Sequence, residues 1–305
     1  MPAQEPGHDE NIDTSNPWIV IPYFVGDQGR PGIERPLTGI SWLCPSIKVK
    51  GVNYTAAPGT YLPDQPLSIT VDVNNLGVPT AIVTASVSWA DPATGFASPT
   101  FIASTSFPVP GRPVTGPVSS PPMIWTPEYT KIPPHFCLLA RATAFPPEPV
   151  TVPTTPDPVN DRHWAQFNLQ SATVPASKKL MTTFWAANPA RESAAFEVMV
   201  RPVSEEGLRL LARVVKAEPV AIREEQLTLH RAIPEAGKRE LRRSSLVLEL
   251  ERGQRQPLVV SAQAPELASH QFTAIEVVQT RRGADRGEGA ITGSLGIVLF
   301  APGES

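Results

Sequence analysis

Proline is the feature that most limits what this chain can become. It supplies 36 of the 305 residues, and each proline interrupts a helix interior or removes a ladder hydrogen bond from a strand. Residues 1–175 hold 29 of them and residues 176–305 hold 7. A largely helical fold is excluded. The hydrophobic share is 41%, that of an ordinary globular chain, so the proline does not come with the composition of a disordered one. Short strands between proline-bearing turns are what remains. At roughly 100–200 residues per domain the length accommodates two.

Charge narrows the partners. Lys plus Arg is 26 against 29 Asp plus Glu, a net charge of -3, which gives no basic field for nucleic acid to respond to. No run of about 18 apolar residues is present, so a membrane-spanning helix is not expected. The opening Met-Pro-Ala-Gln-Glu-Pro-Gly-His-Asp-Glu is acidic where a secretory signal is basic. That predicts a chain that is cytoplasmic at synthesis, reaching a surface or the extracellular space only by a leaderless route or within an assembly. In that setting the two cysteines, Cys44 and Cys137, are read as buried thiols in preference to a disulfide. Asn53-Tyr54-Thr55 is then a chance match to a glycosylation acceptor.

The two parts differ in charge as well as in proline. Residues 1–175 carry 8 basic and 13 acidic side chains, residues 176–305 carry 18 and 16. The small, polar stretch Thr173 to Lys179 is read as a tether. Three segments follow: a tail and strand arm over 1–41, one β-sandwich over 42–175 and a second over 176–305. In the first sandwich Leu67, Ile69, Val71 and Val73 alternate with Ser68, Thr70 and Asp72, the pattern of a half-buried strand. Ala81, Val83, Ala85, Val87 and Trp89 repeat the pattern after a turn at Asn74 to Gly77. Further strands are expected at Ser46 to Gly51, Phe101 to Phe107, Met123 to Trp125, His135 to Ala144 and Trp164 to Gln170. The second sandwich is expected to use Leu180 to Ala187, Ala195 to Arg201, Glu225 to Arg231, Leu246 to Glu251, Pro257 to Ala262, Gln271 to Thr280 and Ala290 to Phe300. Ser204 is placed to cap one short helix carrying Leu208, Leu211 and Val215, which covers an open end of that core. Gly283 to Gly289 is read as the hairpin tip before the last strand.

Trp42-Leu43-Cys44-Pro45-Ser46-Ile47, the strand Ser68 to Asn75 with Leu76-Gly77, Ser88-Trp89-Ala90-Asp91-Pro92, Ile124-Trp125-Thr126-Pro127 and His135-Phe136-Cys137-Leu138-Leu139-Ala140-Arg141 occur in a familiar order. Over roughly residues 42–170 the chain resembles immunoglobulin-like domains of the CARDB kind, the cell-adhesion-related domain in bacteria. The resemblance implies a non-catalytic β-sandwich used for adhesion, spacing or partner docking. With the alternation in the second part, the fold expected is all-β, two tandem immunoglobulin-like antiparallel sandwiches.

Motifs for chemistry are thin. His8, His135, His163, His230 and His270 have no ligand spacing, and no Gly-x-Ser-x-Gly elbow occurs. Gly287-x-Gly289 with Thr292-Gly293 precedes a strand and opens no helix, so it is a turn in place of a phosphate loop. Asp9, Asn11 and Asp13 begin like a calcium loop, but Thr14 replaces the required glycine and Val20 the bidentate glutamate. The basic run Lys238 to Arg243 is read as a solvated connection. No catalytic residue, metal or cofactor is assigned.

The reading is therefore a non-catalytic structural or interaction protein that gives a surface to a bacterial or phage-like assembly or adhesive array, with a protein partner or self-association expected. The candidate interaction residues are Trp18, Ile19, Ile21, Tyr23 and Phe24, because an apolar strand between flexible segments can complete its own sheet or add to a neighbour's edge. The alternative is an accessory carbohydrate-binding module, which needs exposed rings; Trp18, Tyr23, Tyr54, Tyr61, Trp164 and Trp185 are the supply, while Trp89 and Trp125 are assigned to the core.

Overall fold

A computed structural model of the chain describes residues 15–37, 39–55, 59–96, 99–114, 116–133, 135–171, 179–189, 192–232, 243–283 and 290–301. The fold is all-β, two sandwiches with one α-helix. The first contains β1 (Ile19–Val20), β2 (Ile47–Gly51), β3 (Thr60–Tyr61), β4 (Leu67–Asn75), β5 (Ala81–Ala90), β6 (Thr100–Val109), β7 (Val118–Ser119), β8 (Met123–Trp125), β9 (His135–Phe145) and β10 (Trp164–Ser171). In one sheet β4 is central, pairing antiparallel with β1, β2, β7 and β8. The other runs β3-β10-β9-β5-β6, leaving β6 at its edge. Between them lie Ile69, Val71, Val83, Val87, Phe136 and Leu138, all fully buried.

The second sandwich contains β11 (Lys179–Ala187), β12 (Ala194–Pro202), the helix α1 (Glu205–Val215), β13 (Glu218–Pro219), β14 (Leu227–Arg231), β15 (Ser245–Leu250), β16 (Arg255–Gln263), β17 (Gln271–Arg281) and β18 (Ala290–Phe300). One sheet is β11-β16-β14; in the other β17 lies between β12 and β18, with β15 beyond β12 and the short β13 parallel to the start of β17. The Ser204 hydroxyl accepts from the Gly207 backbone N–H at 3.1 Å, and Glu205 and Glu206 occupy the first turn, where the helix dipole favours negative charge. The helix ends at Lys216 in the left-handed conformation.

All fourteen longer strands lie where alternation places them, within a few residues. Three pairings of two residues, β3, β7 and β13, add to that set. The helix does more than close the second core, since Leu208 and Leu211 pack with Phe272, Ala274 and Trp42 of the first part. Trp89 and Trp125 are half-buried against the first core, and Trp125 meets Phe136 edge-on at 5.6 Å. The tether at 173–178, the basic run at 238–242, the hairpin tip at 284–289 and the calcium-like Asp9 to Asp13 lie outside the described residues.

The two sandwiches share one apolar cluster. Ala90, Ala93, Phe96, Cys137, Leu139 and Trp164 of the first pack with Phe184, Phe196, Val277, Leu295 and Ile297 of the second. Two glycines make the contact close. The Thr94 carbonyl sits where a Gly293 side chain would project, and the Trp42 ring lies over Gly296. Buried amides along this seam find partners across it: Asn168 Nδ2 donates to the Gly296 carbonyl at 2.9 Å, Gln166 Nε2 to the Ser294 carbonyl at 3.2 Å, and the Thr94 hydroxyl bonds Gln279 Oε1 at 2.8 Å.

A side chain at either glycine forces the seam apart. Gly293→Ala and Gly296→Ala are each expected to lower stability by about 1–3 kcal/mol, the range for overpacking a well-filled interior, as measured by chemical denaturation. A protease site placed at 173–178 and cleaved should leave two fragments that still co-elute on a sizing column and separate only in denaturant.

Candidate interaction site

The arm is anchored to its own chain. Ile19 and Val20 pair with Asn75 and Asn74 at the end of β4, and the Ile21 N–H donates to the Arg162 carbonyl at 3.0 Å. Ile19, Ile21 and Tyr23 are buried in the first core; burial of side chains this size stabilises by about 1.5–3 kcal/mol each. Trp18 is half-buried, with its indole N–H donating to the Gln28 carbonyl at 2.8 Å. Phe24 and Val25 stay exposed at the tip of the following turn. Four of the five candidate residues are thus packed against the chain itself, and Phe24 alone faces solvent.

Tyr23 ties the arm to the seam strand. Its hydroxyl donates to the Ser41 carbonyl at 2.9 Å and accepts from the Gln166 N–H at 2.9 Å. Below the turn, the fully buried Asp27 carboxylate takes both arms of the Arg35 guanidinium at 3.0 Å and the backbone N–H groups of Tyr23 and Gly29 at 2.8 and 2.9 Å. Every lone-pair direction used is met by a donor, the condition under which a buried carboxylate is tolerated.

A second buried charge cluster holds the arm from the other side. Glu148 Oε1 accepts from the Ile19 N–H at 3.0 Å and from Arg162 Nη2 at 2.8 Å. Arg162 Nε donates to the Ile19 carbonyl at 3.1 Å, and the guanidinium lies 3.8 Å from the centre of the Trp18 ring. His163 bridges two carboxylates, Nε2 to Glu148 Oε2 at 2.6 Å and Nδ1 to Asp161 Oδ1 at 2.8 Å. Burial lowers the His163 pKa, but the hydrogen bonds its ring donates to Asp161 and Glu148 outweigh it and the net shift is upward. Burial raises Glu148 and Asp161, yet His163 and Arg162 hold both below their ordinary values. The cluster sets an imidazole between two carboxylates beside a guanidinium, and both ring nitrogens are committed.

Sequence reading had left His163 among scattered histidines. The run Asp161-Arg162-His163 directly before an apolar strand was the available signal; its partner Glu148, between Pro147 and Pro149, gave none. The other candidates are separated. His135 lines a narrow cleft of the seam with Trp42, Asn168, Val215 and Phe300, and burial pushes its pKa down to about 4. Cys44 lies in the first core and Cys137 in the shared cluster, both free, each thiol pushed by burial up to about 12. Of the rings available to stack on a sugar, Tyr23, Tyr61 and Trp164 are buried, and Trp185 carries the Arg255 guanidinium 4.5 Å from its centre. An open groove of about 420 Å³ crosses the seam near Asp157, Asn160, Asn188 and Arg281.

No family model and no curated protein matches the chain. Among the solved structures that overlap it are three with a TM-score of 0.24 each. A CARDB domain from Pyrococcus furiosus, solved with di-metal ions, is 16% identical and covers 44% of this chain and 95% of its own. The CupB6 tip adhesin from Pseudomonas aeruginosa is 10% identical over 85% of this chain and 98% of its own. Escherichia coli alpha-2-macroglobulin activated by porcine elastase is 10% identical over 87% of this chain and 22% of its own. The likeness is weak throughout, and no family membership follows from it. No helix among the described residues is long and apolar enough to cross a membrane.

The charge cluster gives stability a window in pH. The depressed Glu148 and Asp161 contribute fully above their ordinary values, 4.5 and 3.8, and lose that contribution as pH falls. The raised His163 contributes below its ordinary 6.5 and loses that contribution as pH climbs through its folded value. His135, held down to about 4, works the other way and adds stability as pH rises to 6.5, so the cluster's share is read as a difference: the denaturant midpoint of the wild type minus that of His163→Gln should be largest between about pH 4.5 and 6.5 and shrink as pH climbs further. Removing residues 1–23 strips Ile19, Ile21 and Tyr23 from the core; light scattering should show an aggregating species, and an unchanged mass and melting temperature would contradict the packing.

Proposed function

We propose that this protein is a non-catalytic structural module that gives a rigid β-sandwich surface to a larger assembly. The observation that carries the reading is the seam. Two sandwiches locked through Thr94 on Gly293 and Trp42 on Gly296 form a stiff body, which is what a spacer or docking element needs in order to fix the position of what it holds. The most highly charged interior site serves the same end, because the Glu148, Arg162 and His163 side chains bind the arm down and offer no free ring nitrogen to a substrate. An arm secured in this way closes the first sandwich and leaves Phe24 and Val25 at its exposed tip.

The accessory-module reading is favoured by one feature, the open groove where Asp157 and Asn160 lie beside Pro153, Pro156, Pro189 and Phe196. The Asp157 carboxylate and the exposed Asn160 amide are groups that bond sugar hydroxyls. A glycan array probed with the intact chain and with Asp157→Asn separates the two. The structural reading expects no saturable signal from either; a saturable signal in the wild type that the variant loses would overturn it.

A further inference from the structure

We propose that β6 is a self-pairing edge, through which two copies of this chain join antiparallel into one continuous sheet. The inference deepens the interaction reading above and rests on it. Among the described residues β6 pairs with β5 alone, and apart from the Val109 carbonyl at its end, which accepts from Asn75 Nδ2 at 3.4 Å, none of its backbone groups bonds to the backbone of another described segment. The strand is Thr-Phe-Ile-Ala-Ser-Thr-Ser-Phe-Pro-Val, ten residues without a charge, and mostly open to solvent.

Other edges are blunted or covered: β18, also uncharged, has its Ile291, Ser294 and Gly296 carbonyls bonded by the Asn160, Gln166 and Asn168 side chains. β2 carries Lys48 and Lys50; β14 is short and ends in His230 and Arg231; β15 carries Glu249. The edge of β11 is covered, since Trp185 exchanges backbone hydrogen bonds with Pro92 and Thr94 of the loop after β5. A long neutral edge without such protection is a template for another strand.

The sequence of β6 argues that the strand it takes is its own copy. The pairing with β5 shifts register at Ile102, and Pro108 has no N–H, so regular pairing is confined to Ala103 through Phe107. A twofold axis at Thr105 matches Ala103 with Phe107 and Ser104 with Ser106. Ala103, Thr105 and Phe107 oppose the fully buried Val87, Ala85 and Val83 of β5 and so share the core face. Ser104 and Ser106 oppose Ser86 and Thr84 on the outer face. Ala103 therefore meets Phe107 on the core face, with Thr105 meeting its own copy at the axis, and hydroxyls meet hydroxyls outside, with no charge facing its own copy. A charged foreign segment gains no ion pair here.

Sedimentation equilibrium of the intact chain, from about 1 μM to about 1 mM, tests the pairing. The wild type should show a monomer–dimer equilibrium with β6 amides protected from exchange in the dimer. Ser104→Lys with Ser106→Lys places like charges across the axis and should weaken dimerisation at least about tenfold. Ser104→Lys with Ser106→Glu places opposite charges there and should restore it. At concentrations where all three proteins are monomeric they should melt alike, because both serines lie on the outer face. A wild type that stays monomeric overturns the β6 dimer, as does a dimer indifferent to both pairs of substitutions. A β6 that stays monomeric but binds a foreign strand likewise overturns it. Either failure leaves the structural reading to its own glycan test.

Discussion

The contact on which the rest of this molecule depends is the face of Trp42 laid over Gly296, with Thr94 set against Gly293 beside it. Glycine inside a strand costs backbone entropy and leaves no side chain to pack, so its presence at two places in β18 needs a compensating gain. The gain is close approach. Without it the Trp42 ring would stand in solvent and the outward face of β9 would expose Cys137 and Leu139, an apolar patch of the sort monomeric proteins seldom show. Each sandwich thus supplies a wall of the other's core, and the boundary that composition draws near residue 175 separates two surfaces that are buried together.

Because the seam is apolar, the polar groups it covers have to be answered locally. Gln166, Asn168 and Gln279 reach across to carbonyls and a hydroxyl of the facing sandwich. An unpaired buried amide costs about 1–3 kcal/mol, so these bonds select one docking geometry among the many that would bury similar apolar area. The arm follows the same rule with charges. Glu148, Arg162, His163 and Asp161 are costly to desolvate singly and tolerable as a set, and what the set recognises is the Ile19 peptide group, through the Glu148 carboxylate on its N–H and the Arg162 guanidinium on its carbonyl. Polar satisfaction, more than apolar area, fixes where the arm lies.

Much of this was legible in the residues. Alternation located β4, β5, β9 and β18 because each is long enough to show a period of two over a half-buried sheet. β3, β7 and β13 were not, since two residues have no period. Gly293 read as part of a turn, for nothing local distinguishes a glycine needed for flexibility from one needed for room; the Thr94 carbonyl that requires it is about 200 residues away in sequence. The arm was recognised as an apolar strand, but its choice between its own sheet and another's was set by Glu148 and Arg162, and such pairing between distant loops leaves no pattern to read. The composition break was real as a change of surface chemistry and silent on the contact between the parts.

The outward face of the β9 sheet changes character along its length. Along β9 the outward residues run Cys137, Leu139, Arg141, Thr143 and Phe145. The first two sit in the shared cluster. Arg141 then marks the limit, its guanidinium over the Trp164 ring and bonded to the Val152 carbonyl at 2.9 Å, so the apolar seam is closed by a cation whose stem is still packed. Beyond it the neighbouring strands offer Ser86, Thr84, Ser104 and Ser106, with Thr84 and Ser106 bonded to each other at 2.8 Å. Small hydroxyls present no bulk to a neighbour and no charge to repel it. A sheet that is apolar where it meets the second sandwich, and toward β6 uncharged with exposed Ile82, Phe101 and Phe145 beside the hydroxyls, has its rigid attachment at one end and a long uncharged edge at the side, and both are built into a single set of strands.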